Sequence, residues 1–108
     1  GRRFGYLKVM VARIPVPEES DLPPGIAEAR QEVDRIDAEL VRLLSIRLSV
    51  VMRMAQIKRS VGLAFRDEDR EDEILDNAAD RAKALDLPRK QVRKIFRQII
   101  RISLKAQN

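Results

Sequence analysis

The 108-residue sequence contains no cysteine and no histidine. The first absence excludes disulfides, a thiol nucleophile and thiolate metal sites. The second removes the commonest general base and the commonest metal ligand. Any chemistry must therefore use Arg, Lys, carboxylates, amides and hydroxyls. Aromatic residues are only 4%, with four Gly and five Pro. So few turn and β formers argue against a sandwich or barrel. No apolar run approaches the ~20 residues of a membrane span. The basic start, Gly1 to Val16, lacks the long apolar stretch and small-residue cleavage site of a leader. A cytoplasmic protein without a membrane span is the expectation.

Hydrophobic residues make up 44% and charged residues 36% of the chain. That composition suits one domain of long amphipathic helices. The net charge of +5 would fit nucleic acid, an anionic membrane or a small anionic substrate. The cations are dispersed among acids rather than clustered, which disfavours nucleic acid.

Four of the five prolines (Pro15, Pro17, Pro23 and Pro24) fall in residues 1–25. This stretch reads as an extended arm or linker. Within it Leu7, Val9 and Val11 alternate like a short strand, and Met10 is a candidate native start. Residues 26–108 read as one helical domain. From Ile26 apolar residues recur at steps of three and four for about 37 residues: Val33, Ile36, Leu40, Leu43, Leu44, Val50, Val51, Met54, Ile57 and Val61. At ~1.5 Å per residue this helix is about 55 Å long, whereas a compact 100-residue domain has a radius of gyration near 13 Å. Its own chain cannot wrap it, so a second copy with its own long helix is expected alongside. Gly62 is the expected helix stop. Asp67 is the expected N-cap of a second helix, with Glu68, Asp69 and Glu71 at its positive end and Ile74, Leu75, Ala78, Ala82 and Leu85 facing inward. Pro88 fits the first turn of a third helix, whose apolar side is Val92, Ile95, Phe96, Ile99, Ile100 and Ile102. The expected fold is all-α, with one long and two shorter helices per chain.

Charges on the inward faces carry the functional signal. Residues eleven apart on a helix point within about 20° of each other. Ile36, Arg47 and Lys58 have that spacing, so both cations lie on the apolar stripe. Their burial is costly unless an anion meets them; the bland alternative is that both snorkel to water. Ser103 and Gln107 fall near the apolar face of the third helix, and Glu71 near that of the second. Singly, each has a structural explanation: a Ser bonded to its own helix, a solvated C-terminal Gln, an acid at a helix dipole. All three helices nevertheless carry inward polar groups. Arg30 is seventeen residues before Arg47, turned roughly 100° away. With antiparallel long helices in a dimer, it would reach the other chain's site.

From Ala29 to Gln107 the chain resembles the all-α chorismate mutases. A-R-Q-E-V-D-R-I-D-A-E-L-V-R-L-L is similar to the start of that family's first helix, R-D-E-D-R-E to the start of its second, and I-F-R-Q-I-I-R-I-S-L-K-A-Q to its third. The resemblance implies an intertwined six-helix homodimer with two sites. It implies a site of Arg30, Arg47, Lys58, Asp67, Arg70, Glu71, Ser103 and Gln107, with Arg30 given to the partner's site. The implied reaction is the Claisen rearrangement of chorismate to prephenate in Phe and Tyr biosynthesis, without cofactor, nucleophile or proton transfer. Arg47 and the partner's Arg30 would clamp the two carboxylates, with Ser103 at the ring carboxylate. Lys58 and Gln107 would donate to the ether oxygen. Glu71 and the backbone near Asp67 would hold the ring hydroxyl, and Arg70 would orient carboxylates from outside the contact shell. The alternatives are an isochorismate pyruvate-lyase on the same fold, an amino-chorismate mutase, and a non-catalytic dimerisation or regulatory module of an aromatic-pathway enzyme. A basic nucleic-acid binder comes last. An additional partner enzyme, recruited through the arm, is a further expectation.

Overall fold

The computed structural model describes residues 22–107. The strand-like Leu7–Val11 and the start at Met10 lie outside the described residues. Three α-helices follow one another: α1 (Pro24–Ser60), α2 (Glu68–Ala84) and α3 (Arg89–Ala106). The described residues contain no strand. No described helix is long and apolar enough to cross a membrane. The chain divides into two units, 1–39 and 40–108, with the boundary inside α1.

In the first unit α1 begins at Pro24, two residues before the expected Ile26, inside the segment read as an arm. Proline tolerates the first helical turn because its missing N–H would have no intrahelical partner there; the Ile26 N–H donates to the Pro23 carbonyl at 2.9 Å. The apolar residues of this stretch stay exposed, Val33 by 53% and Ile36 by 58%.

In the second unit α1 continues and ends as the sequence expects. Gly62 has φ +73°, a conformation that costs a side-chain-bearing residue about 1–2 kcal/mol. The Leu63 N–H donates to Lys58 and the Gly62 N–H to Arg59, so two orphan carbonyls are satisfied in a Schellman motif. Helix α2 opens on Asp67, whose carboxylate accepts from the Arg70 N–H at 3.0 Å. Its end repeats the Schellman pattern, Leu87 N–H to Ala82 and Asp86 N–H to Lys83, with Asp86 rather than glycine at φ +57°. Pro88 is the N-cap of α3 rather than a first-turn residue, and the helix starts at Arg89.

Helices α2 and α3 pack against each other. Leu75, Ala78, Ala79, Ala82 and Ile100 are buried, Ala82 to 2% exposure. The alanines leave no bulk between the backbones, so the two helices approach closely. Two salt bridges flank the seam, Arg93 to Asp76 at 2.6 Å and Arg89 to Asp80 at 3.8 Å. Leu85, expected on the inner stripe, is instead 71% exposed, because the helix ends at Ala84 and the turn carries it outward. Ile95 and Ile102, expected on the apolar side of α3, are also half-exposed. Among the described residues of α1, Ala55 alone is buried. In this unit Leu40, Val41, Leu43, Leu44, Ile46, Val50, Met54 and Ile57 stand open to solvent.

Candidate active site

The second unit contains a cavity of about 260 Å³ lined by all three helices and the α1–α2 loop. Val50, Val51, Met54, Ile74, Ile100 and Leu104 form its apolar wall. Its polar wall is Arg47, Lys58, Arg66, Asp67, Arg70, Glu71 and Ser103. Four cations against two carboxylates leave two net positive charges (4 − 2 = +2). This is the environment a dianion seeks, since apolar walls weaken screening of the charges.

The helix wheel brings Arg47 and Lys58 into this cavity. Arg47 is half-buried, and its Nη1 donates to Ser103 Oγ at 3.3 Å. Ser103 is 7% exposed, and its hydroxyl donates a hydrogen bond to the Ile99 carbonyl at 3.4 Å. The backbone-bonded role that a mid-helix serine adopts by default and a cavity role thus coexist in Ser103. Burial, and then the neighbouring charge of Arg70, lower the pKa of Arg47. Both causes disfavour a bare cation, and an anion beside it would offset both.

Lys58, in the last turn of α1, donates from Nζ to the Phe65 carbonyl at 3.2 Å and lies 5.8 Å from the centre of the Phe65 ring. An ammonium has three donors, so two remain for a ligand. Among the described residues neither Arg47 nor Lys58 has a carboxylate partner.

Asp67 and Glu71 sit at the start of α2. Asp67 is committed to its capping bond. Glu71 lines the cavity and accepts two hydrogen bonds from Arg66, Nε to Oε2 at 3.1 Å and Nη2 to Oε1 at 3.2 Å. Arg66 is absent from the sequence-derived set. It lies in the α1–α2 loop, where no helical period assigns it a direction; its spacing of five before Glu71 was the available signal. That hydrogen bond and then the charge of Glu71 raise the pKa of Arg66; desolvation opposes them, and the charge of Glu68 adds a lesser upward push. Arg70 lines the cavity itself, and the carboxylate it orients is that of Glu73, by a bond of 2.5 Å, not that of Asp67 or Glu71.

Six of the eight sequence-derived residues thus share one cavity: Arg47, Lys58, Asp67, Arg70, Glu71 and Ser103. Gln107 does not line it. Its Nε2 donates to the Ser103 carbonyl at 3.0 Å, and its Oε1 is buried with no protein partner. It lines a second cavity of about 180 Å³ with Ala55, Arg59, Leu63, Lys58 and Phe65, the last two shared with the first cavity. Arg30 is an exposed residue of the first unit.

Among the described residues, fold and cavity define an all-α protein with a net-positive cavity that holds neither thiol nor imidazole. Residues 29–108 match the family described as chorismate mutase type II, and the chain belongs to that family. It is similar to the T-protein of Enterobacter agglomerans, 29% identical over 79 residues, covering 73% of this chain and 21% of that protein. It is 39% identical over 51 residues to the bifunctional chorismate mutase/prephenate dehydratase of Aquifex aeolicus, covering 47% of this chain and 14% of that one. It is 35% identical over 51 residues to the chorismate mutase of Methanocaldococcus jannaschii, covering 47% and 52% respectively. The chain thus spans from about a seventh to about half the length of these relatives. No solved structure matches it significantly.

Proposed function

We propose that the chain is a chorismate mutase, rearranging chorismate to prephenate in the biosynthesis of phenylalanine and tyrosine. The observation that carries this reading is that the family match, residues 29–108, contains every residue lining the cationic cavity. Two of the relatives are named for chorismate mutase activity, which supports the same reading.

The substrate is a dianion, and the reaction is an intramolecular shift that breaks a C–O bond while forming a C–C bond. No external nucleophile is needed. Arg47, braced by Ser103, binds one carboxylate, and Arg30 of a second copy binds the other. Fixing both ends folds the enolpyruvyl arm over the ring, and such proximity supplies a large share of the barrier reduction. Negative charge gathers on the ether oxygen as the bond breaks. The two free donors of Lys58 meet it there, so their contribution is greatest in the transition state. Gln107 is the second donor, and to act it exchanges its bond to the Ser103 carbonyl for one to substrate. Glu71 and the backbone at Asp67 hold the ring hydroxyl.

The working unit is a homodimer, assigned to the cytoplasm. The exposed apolar residues of α1 support this, since such a long unpartnered surface is costly in water. The helical domain begins with α1 at Pro24, and the sequence before it is a candidate for recruiting a partner enzyme. Lys58→Ala tests the chemistry: loss of one charge-stabilising donor costs on the order of 10²–10³ in kcat. A Lys58→Ala protein with undiminished turnover contradicts the assignment.

A further inference from the structure

The cavity holds a pairing that the rearrangement itself does not require. Arg66 grips both oxygens of Glu71, at 3.1 and 3.2 Å. The two side chains differ sharply in exposure, 19% for Glu71 and 57% for Arg66. Both side chains line the cavity, the carboxylate more enclosed and its counter-ion more open to solvent. A carboxylate oxygen has two lone-pair directions. Each Glu71 oxygen spends one on Arg66 and keeps one for a ligand.

From this we infer that Arg66 is a specificity-determining residue: by neutralising Glu71 it selects a hydroxyl over an ammonium on the substrate ring. This rests on the reading of the chain as a chorismate mutase with Glu71 at the ring hydroxyl. The reason is electrostatic. A lone carboxylate attracts a cation more strongly than a neutral hydroxyl, so an unpaired Glu71 would favour a ring carrying an ammonium group. Paired with Arg66, the site is formally neutral. It still accepts a hydrogen bond from a hydroxyl, but an ammonium there meets the guanidinium charge across the carboxylate. The bidentate grip also fixes the carboxylate plane, which a single ion contact does not. Arg70, the other arginine at the start of α2, is turned to Glu73 and does not substitute for Arg66.

The test compares kcat/KM for chorismate and for its analogue with an amino group in place of the ring hydroxyl, in wild type, Arg66→Gln, Arg66→Lys and the double variant Arg66→Gln/Glu71→Gln. Arg66→Gln should raise the amino-to-hydroxyl ratio about 10-fold, the scale of one partly screened unit charge at a few ångströms. Arg66→Lys keeps the charge and should stay within about 3-fold of the wild-type ratio, again on that electrostatic scale. The double variant should lose the gain, because no carboxylate remains to attract the ammonium. Thermal melts accompany each variant, and a purely structural role lowers both substrates together and leaves the ratio fixed. Chorismate turnover by the wild type with a ratio unchanged in Arg66→Gln overturns this inference alone. Absence of chorismate turnover in the wild type overturns the functional reading and this inference with it.

Discussion

Arg47 offers a change whose effects on stability and on function should run in opposite directions. In Arg47→Met the guanidinium is replaced by a shorter apolar chain beside Val50, Val51 and Met54 on the cavity wall. The lost interaction is one 3.3 Å bond to Ser103 Oγ, worth about 0.5–1.5 kcal/mol net. Ser103 keeps its own bond to the Ile99 carbonyl, so its proton is not orphaned. Against this stand the removal of a half-buried cation whose pKa is lowered first by burial and then by Arg70, and added apolar contact. A half-buried charge with no carboxylate partner carries a desolvation cost that its removal returns. The expected net is a gain of about 0–2 kcal/mol; each 1 kcal/mol moves Tm by about 4–8 °C for a domain this small. Activity moves the other way, falling at least about 100-fold as the carboxylate clamp is lost. A thermal melt at fixed protein concentration with and without chorismate, together with initial rates, reads both. The wild type should gain Tm with ligand, and the variant should not. A variant destabilised by more than about 2 kcal/mol, beyond what the lost hydrogen bond explains, would refute the view that Arg47 is kept for its ligand.

Three further outcomes follow from the packing. Ala82→Leu forces a branched chain into the 2%-exposed contact between α2 and α3 and should cost about 1–3 kcal/mol in denaturant titration. Asp86→Gly relieves a non-glycine residue at φ +57° and should raise stability by about 0.5–1 kcal/mol; a lower melting temperature would show that the Asp86 side chain contributes more than its strain costs. Leu40→Lys with Leu44→Lys places two charges on the open apolar side of α1 and should shift sedimentation from dimer to monomer. A wild type that sediments as a monomer would remove the basis for a shared site.

Much of this architecture was legible in the sequence because local rules decided it. Gly62 ends α1 and Asp67 opens α2 for reasons contained in a few neighbouring residues, and the eleven-residue spacing of Arg47 and Lys58 sends both to one cavity. What escaped depends on where a chain turns. Leu85 obeys the inner-stripe period of α2 but falls just beyond its last turn, so it faces water. Pro88 caps α3 instead of entering it, a shift of one residue. Arg66 belongs to a loop, where no period assigns a direction, and only the fold shows it holding Glu71. Gln107 lies on the expected side of α3, but its amide bonds backward to Ser103 and enters a neighbouring cavity. A wheel gives the direction of a Cβ, not the rotamer of a long amide beyond it.

The central claim is tested most directly by incubating the purified protein with chorismate and identifying the product by NMR as the substrate's absorbance falls. Prephenate as the sole product, formed by wild type and almost abolished in Lys58→Ala, is the predicted result. Chorismate left unchanged by a dimeric wild-type protein, or pyruvate released from isochorismate in its place, would contradict it.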